Sequence, residues 1–506
     1  MKKYLYISII AAGMTISACN DFLDEQPSVS VNAPVNEAAQ LLAIYDNTNH
    51  LVSSNPFALK STDNTEITRE QYIVDANSFY PEMDIFPYLH YYEGLVGATS
   101  DYFWTGEYAK IYDANLIIES ADKVTGDESV KKEALAGAYL MRAYSFHVLA
   151  TTYCLPWSEA NKESLGIPLR LKLDYEESGS RGTLEQAWNQ IFADMEAASQ
   201  NVTRTATDSE LPWRASQCAI DAMYARLYLC RGDYDKALEY TNKALSTAPE
   251  LFDYNNLISG AIETYAEITN PTTGEIISNC DTIFYSEFND WMETKIYRFP
   301  ELIYPRFTKD DMQWSIPSKQ LVAQYDHNTD LRFKWLCLAH GNRRMMGQYE
   351  AYRFCQFDDG RYFVEGPSTP ELLLNKAEIL VRKGQWQEGL QVLDPLYKAR
   401  HTDSGSLTAS SQSEALKVVL AERNREFPFS FIRFMDIQRF AGNETAEDDI
   451  IITRDFFEVT RSNIDTDKQK TWTINPQKGG MAMPIYQIDI AAAQGDLEQT
   501  PDYNGQ

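Results

Sequence analysis

Apolar residues recur along much of the chain at three- and four-residue steps. Tyr108, Ile111, Tyr112, Asn115 and Ile118 follow such a stripe, and so do Leu416, Val419, Leu420, Arg423 and Phe427. A 3.6-residue turn gathers each set on one face, so both segments predict amphipathic helices. A third stripe, Leu135, Ala138, Arg142, Phe146 and Leu149, falls within a looser helical pair over 105–155. Between Ala215 and Pro249, the residues Ala225, Gly232, Tyr234, Ala237, Ala244 and Pro249 stand at the intervals of a tetratricopeptide-like helix pair. The small alanines let two helices approach, Gly232 permits the tight turn between them, and Pro249 stops the second helix. From Pro370 onward, Ala377, Gly384, Trp386 and Gly389 repeat the offsets of Ala225, Gly232, Tyr234 and Ala237. The two copies lie 152 residues apart, Gly232 to Gly384, so a large insertion separates them.

That insertion, about 250–368, carries Pro271, Pro300, Pro305, Pro317 and Pro367 among short β-branched and aromatic runs, which predicts mixed strand and loop. Residues 56–104 also read as irregular: Pro56, Pro81 and Pro87 sit among Tyr72, Phe79, Tyr80, Phe86, Tyr88, Tyr91 and Tyr92. The fold class is therefore mainly α, tetratricopeptide-like helix pairs over about 37–250 and 369–445, with irregular α/β regions at about 56–104 and 250–368. Loops mounted on a rigid frame are the usual seat of binding, which makes those two regions the expected ligand side.

The N-terminus sets the compartment. Lys2 and Lys3 precede an apolar run from Tyr4 to about Ala18, too short to span a bilayer and laid out as a secretory signal over residues 1–18. It ends Ile16-Ser17-Ala18-Cys19, like a bacterial lipobox, which makes Cys19 the expected lipidation site and the first residue of a tethered mature chain, 19–506. The other six cysteines, Cys154, Cys218, Cys230, Cys280, Cys337 and Cys355, form no CxxC pair and read mostly as buried small hydrophobes.

Composition narrows the function. The 506 residues are 44% hydrophobic and 23% charged, as in a globular protein. Asp+Glu number 73 against 45 Lys+Arg, a net charge of −28, which argues against nucleic acid or an anionic lipid surface as a partner held by charge. The 31 tyrosines supply amphipathic rings that stack on ligands or fill helix interfaces.

In this order and spacing, the residues resemble the SusD/RagB family of Bacteroidetes surface lipoproteins. The resemblance spans nearly the whole chain. It rests on Cys19-Asn20-Asp21-Phe22-Leu23-Asp24, on Tyr108 to Asn115, on Arg142-Ala143-Tyr144 with Gly166-Ile167-Pro168-Leu169, and on the two repeat segments. It continues through Glu422-Arg423-Asn424-Arg425-Glu426-Phe427, Arg433-Phe434-Met435-Asp436-Ile437-Gln438-Arg439 and Met483-Pro484-Ile485. The chain departs from the pattern at Pro428-Phe429-Ser430-Phe431, where family members commonly carry Gly-Glu, and its Pro501-Asp502-Tyr503 is a loose form of the usual ending. The resemblance implies a tetratricopeptide-like scaffold cradling a less regular ligand-binding half. It also implies capture of oligosaccharides, less often peptides, for a SusC-like TonB-dependent outer-membrane transporter, with no catalysis.

Enzyme chemistry has little support. There is no HExxH, GxSxG, GxxxxGK or GxGxxG. A glycosidase needs only two carboxylates at the right separation, so an enzyme remains the remotest alternative. Glu422, Arg423, Arg425, Glu426, Arg433, Asp436 and Arg439 form the densest charged constellation, read here as a structural ion network locking the last helices. Arg142 and Asn115 get the same reading. The histidines, His50, His90, His147, His327, His340 and His401, are dispersed and suggest no metal cluster. Asp358-Asp359 and Glu447-Asp448-Asp449 lack the spaced oxygens of a calcium loop, so no cofactor is expected and a structural calcium ion is unsupported.

Sugar recognition needs flat aromatic faces for C–H surfaces and polar groups for hydroxyls. The candidates are Phe86, Tyr88, Tyr91 and Tyr92 in the early region and Trp291, Tyr297 and Trp314 in the insertion, with Asn289, Asp290 and Arg298 as polar partners. Trp104, just ahead of a helix, is read as core. The expected role is a non-catalytic, lipid-anchored glycan-binding protein at the cell surface. The rivals are capture of peptides or glycopeptides and a structural transporter lid without a ligand of its own.

Overall fold

A computed structural model describes residues 35–505 except 75, 100–101, 175–178, 258, 265–267, 270–275, 279–281, 287–292, 311–314, 340–351, 444 and 446–447. The frame is helical: α1 (Ala38–Tyr45), α2 (Tyr102–Ser120), α3 (Glu128–Tyr153), α4 (Leu184–Asn201), α5 (Gln217–Cys230), α6 (Tyr234–Leu245), α7 (Thr369–Arg382), α8 (Trp386–Val392), α9 (Asp394–Arg400), α10 (Gln412–Glu426) and α11 (Phe431–Gly442). The 26-residue α3 lies at the centre and is buried on every side through its second half, from Met141 to Ala150. Such all-round burial demands that its polar residues find partners. Arg142 does so with a bidentate grip on Asp194 of α4, at 2.8 and 2.6 Å, and a 2.7 Å bond to Asn115 of α2.

The two repeat copies dock directly on each other. Gly232 and Gly384 take the left-handed conformation, φ +71° and +86°, at the turns α5–α6 and α7–α8. Ala225, Ala237 and Ala377 are fully buried, and Leu229 and Ala237 pack on Ile379 across the seam. Gly389 is where α8 meets α7: a methyl there would lie 2.8 Å from the Ala377 carbonyl oxygen. Arg226 of α5 clamps Glu371 of α7 at 2.8 and 2.6 Å, so the insertion leaves the stack and returns to the same place.

The stripe over Tyr108–Ile118 is a helix, α2, with its buried face turned by one position. Phe103, Glu107, Lys110, Ile111, Ala114 and Ile117 face inward, while Tyr112 is 38% exposed. The α10 stripe is as expected, with Leu416, Val419, Arg423 and Phe427 buried.

Residues 56–104 differ from the expected irregular loop. They form short helical turns, Pro56–Lys60, Arg69–Val74, Pro81–Ile85, Phe86–Leu89 and Tyr92–Val96. Pro56, Pro81 and Pro87 stand in the first turns of their elements, where a missing N–H costs nothing. These prolines start helices instead of breaking them.

The insertion is mixed strand and loop. Its strand β2 (Phe307–Lys309) lies between β1 (Val52–Ser53), parallel, and β3 (Tyr362–Val364), antiparallel, tying the early region to the insertion. A hairpin of β4 (Ile452–Thr460) and β5 (Asn463–Ile474), with a register shift at Phe457/Glu458, follows the last long helix. Cys154, Cys218, Cys230, Cys337 and Cys355 are buried free thiols. Cys19 and Cys280 lie outside the described residues.

Candidate functional site

Three segments distant in sequence converge on a groove of about 530 Å³. The first wall is Asp63–Glu70. Thr68 and Gln71 cap each other, Thr68 N–H donating to Gln71 Oε1 at 2.7 Å and Gln71 N–H to Thr68 Oγ1 at 3.1 Å, which starts the turn Arg69–Val74. Tyr72 turns inward onto Phe456 and Phe457 of β4, ring centroids 5.3 and 5.9 Å away, leaving Arg69 and Glu70 on the groove.

The second wall comes from the insertion. Ser318 caps the turn Lys319–Val322 and donates its N–H to the Asn64 carbonyl at 2.7 Å, and Lys319 N–H donates to Glu66 Oε2 at 2.9 Å. Lys319 and Gln320 thus stand opposite Glu66. The third wall is Ile451–Asp455 at the start of the hairpin.

The floor is fixed by charge. Arg454 points inward from β4, donating to the Thr65 and Thr62 carbonyls at 2.6 and 2.5 Å, and its guanidinium lies 4.2 Å over the Tyr88 ring. Asp63 accepts both arms of Arg433 at 2.9 and 2.6 Å. Burial raises the Asp63 pKa, but the Arg433 charge and its hydrogen bonds outweigh this and hold the carboxyl below its ordinary value. Burial raises the Tyr88 hydroxyl pKa, which keeps the phenol neutral. The groove therefore has a rigid floor and walls with donors, acceptors and both signs of charge.

The predicted aromatics mostly do not face a ligand. Phe86, Tyr88, Tyr91 and Tyr297 are buried. Phe86 packs edge-on against Tyr91 at 5.4 Å, Tyr91 against Trp472 at 5.7 Å, and Tyr297 lies 5.8 Å from Phe307. Short helical turns pressed against the hairpin turn Phe86, Tyr88 and Tyr91 inward, while Tyr297 is held by β2; Tyr88 alone of the four lines the groove, as floor. Tyr92 is half-buried, its hydroxyl donating to the Thr500 carbonyl at 2.7 Å. Arg298 is exposed and donates to the Glu210 carbonyl at 3.0 Å, on the loop before α5. Asn289, Asp290, Trp291 and Trp314 lie outside the described residues.

Sequence reasoning missed Glu66, Arg69, Glu70, Lys319, Gln320 and Arg454. A signal existed for Arg454: Ile452, Arg454 and Phe456 alternate with Thr453 and Asp455, so a cation occupies an inward position. In the early region the tyrosines that face solvent are Tyr80, 51% exposed, and Tyr102, 69% exposed.

The charged constellation is a structural network. Arg332 holds Asp330, Glu422 and Glu426; Arg400 holds Glu301 and Glu426; Arg423 holds Asp436; Arg439 holds Glu378 and Asp436. Burial works against the Glu422 carboxylate, but Arg332 and Arg425 lower its pKa to about 2. Glu301 goes the other way, raised by burial to about 7. Asp448, one of the acidic-loop residues, is buried and pairs with Arg382 at 2.5 Å. Among the described residues no group of three or more His, Cys, Asp or Glu is arranged to hold a metal ion, and no helix is long and apolar enough to cross a membrane.

Known proteins are similar to this chain in sequence and in fold. A family model described as starch-binding and associating with the outer membrane matches residues 21–229, and the SusD family model matches residues 369–503. The SusD-like protein P2 of Formosa agariphila is 24% identical over 502 residues, 88% of this chain and 92% of that protein. A SusD superfamily structure from Bacteroides thetaiotaomicron superposes with TM-score 0.63 at 16% identity, covering 92% of this chain and all of that one. A laminarin-binding SusD-like protein superposes with TM-score 0.56 at 16% identity, again over 92% of this chain and all of the other.

Proposed function

The chain belongs to the SusD family, and from that membership we propose that it captures glycans, without chemical change, at the outer-membrane surface and passes them to a SusC-like TonB-dependent transporter. The observation that carries the reading is the polar groove between the early region, the insertion and the hairpin. Its volume lies within the roughly 300–1,000 Å³ range of small-molecule sites. Its walls offer carboxylates, an ammonium, a guanidinium and an amide, which together satisfy hydroxyls that both donate and accept. The relative that binds laminarin and the description of the N-terminal family model as starch-binding support a neutral polysaccharide over an anionic one. The net charge of −28 points the same way, because a strongly acidic surface repels polyanions.

Capture needs no tight complex. A flexible glycan loses conformational freedom on binding and gives back few buried contacts, so affinities of about micromolar to millimolar are expected and suit handing ligand onward. Cys19 supplies the acyl tether in this reading.

The test is calorimetry of the tether-free chain, residues 20–506, against starch and laminarin oligosaccharides and a panel of peptides. Saturable heat with a glycan, reduced in Lys319→Ala, supports the reading. Heat with peptides alone, or new reducing ends appearing in the glycan samples, overturns it.

A further inference from the structure

We propose that a second cleft, on the helical side, is a subsite for an uncharged sugar ring. Helix α2 sets Trp104, Tyr108 and Tyr112 four residues apart, which places the three on one face. The Trp104 and Tyr108 rings lie 4.8 Å apart and tilted at 50°. Tyr108 is pinned by its hydroxyl, which donates to the Pro168 carbonyl at 2.8 Å. Tyr112, one turn on, keeps a large part of its surface in solvent. The segment after Pro168 and the C-terminal turn Gln487–Ala492 close a cavity of about 330 Å³ over these rings. No residue lining it lines the polar groove.

The back of the cleft is fixed before any ligand arrives. Asn115 donates from Nδ2 to the Arg170 carbonyl at 3.1 Å and to the Lys172 carbonyl at 3.4 Å, while its Oδ1 accepts from Arg142. Arg142 is itself locked to Asp194, so a buried chain of polar bonds holds the 170–172 segment against the helix. A preformed wall saves a ligand the ordering cost of making one.

The lining states the ligand chemistry. Aromatic faces and apolar side chains such as Leu173 and Leu497 make most of the surface, and two cations, Arg170 and Lys172, are balanced by two carboxylates, Asp174 and Asp489, so the lining favours a neutral ligand over an ion of either sign. Arg170, Lys172 and Asp489 add donors and acceptors of both signs. A flat ring with one C–H face and hydroxyls at its edge matches this pattern, and the volume is near the lower end of the roughly 300–1,000 Å³ span of small-molecule sites, which suits one or two rings.

The experiment is fluorine NMR of the chain, residues 20–506, with 5-fluorotryptophan at all tryptophans and the Trp104 resonance assigned by its loss in Trp104→Phe. Methyl β-glucopyranoside and laminari-oligosaccharides are the probes. We expect the Trp104 resonance to move saturably, to stop moving in Tyr112→Ala and to lose at least threefold in affinity in Asp489→Asn. The movement should persist in Lys319→Ala, which alters the polar groove alone. A Trp104 resonance that stays fixed in the wild-type chain overturns the subsite even if calorimetry detects glycan in the polar groove. Movement that survives unchanged in both Tyr112→Ala and Asp489→Asn overturns it as well.

Discussion

Two regions of the molecule are dense in arginine and carboxylate, and they use those groups in opposite ways. Around α10 and α11, Arg332, Arg400, Arg423 and Arg439 are buried and each grips at least one carboxylate. In the groove, Glu70, Lys319 and Asp455 stand exposed on the walls, while the floor residues Asp63 and Arg454 are locked by an ion pair and by bonds to backbone carbonyls. Charge density alone does not separate structure from site. Saturation and burial do, because a group whose bonding capacity is already filled by its own chain has little left for a ligand.

The strongest way to break this contrast is to remove a cation from the saturated cluster. Arg332→Ala leaves the buried Asp330 without an arginine and takes one of two arginines from Glu422 and from Glu426, and should cost about 3–5 kcal/mol, since unpaired buried charge is far worse than the pair was good. Urea denaturation reads this as a lower midpoint or as insoluble protein. A loss under about 1 kcal/mol would place the cluster with surface salt bridges instead.

Acid should act on the same cluster next. The ordinary carboxyl value for Glu422 is 4.5 and its folded value is about 2, so its contribution is fully present above 4.5 and is lost as pH falls toward 2. Glu378 and Asp330 are also held below their ordinary values despite burial, by Arg439 and Arg382 and by Arg332 respectively, and fade in the same direction. Glu301 has the reverse sign: its folded value of about 7 lies above 4.5, so its contribution declines as pH rises between the two. Thermal melting at pH 3 should fall below that at pH 5, and Glu422→Gln should flatten the difference. An unchanged pH slope in that variant would show that Glu422 is not depressed by its arginines.

These two regions also differ in how much of them the sequence revealed. The repeat copies were legible because Gly232 and Gly384 must take positive φ and Ala225 and Ala377 must be small where helices touch. Those demands are local or repeat at a fixed offset. The constellation from Glu422 to Arg439 was legible as structure because its charges fall at helical spacing. The groove was not legible, since Glu66 and Lys319 meet across 253 positions and only the tertiary fold brings them together. The ring directions at Phe86, Tyr88 and Tyr91 were hidden for a related reason: in turns of four or five residues every direction is a tertiary decision, and the hairpin took them. The hairpin itself was masked because Phe456 and Phe457 are both buried at the register shift, which spoils the two-residue alternation.

On the groove side the expected stability effects shrink while binding effects remain. Lys319→Ala and Glu70→Ala change exposed groups and should alter folding by no more than about 0.5 kcal/mol. If either group bonds a sugar hydroxyl, its loss should cost about 1.5–3 kcal/mol of binding, or roughly tenfold or more in affinity. Calorimetry and melting on the same samples separate the two readouts. Equal losses in both would erase the distinction between the groove and the buried cluster.

The smallest expected effect tests whether the groove uses anything besides polar contacts. Ile451 lines it from the hairpin side and is 60% exposed, so its side chain contributes little to folding. A sugar lying in the groove would cover part of that side chain with its C–H surface. Ile451→Ala removes three carbons that are only partly covered even in the complex, so the loss should be a fraction of the ~0.8 kcal/mol assigned to each fully buried methylene, about threefold in affinity overall. Ile451→Ser should lose slightly more, because its hydroxyl adds hydration that a ligand must displace. If both variants bind like the wild type while Lys319→Ala does not, recognition rests on hydroxyl geometry alone. If the Ile451 variants match Lys319→Ala in their loss, the apolar rim carries as much of the grip as the charged wall, and the contrast with the buried ion cluster becomes one of solvation and not of charge.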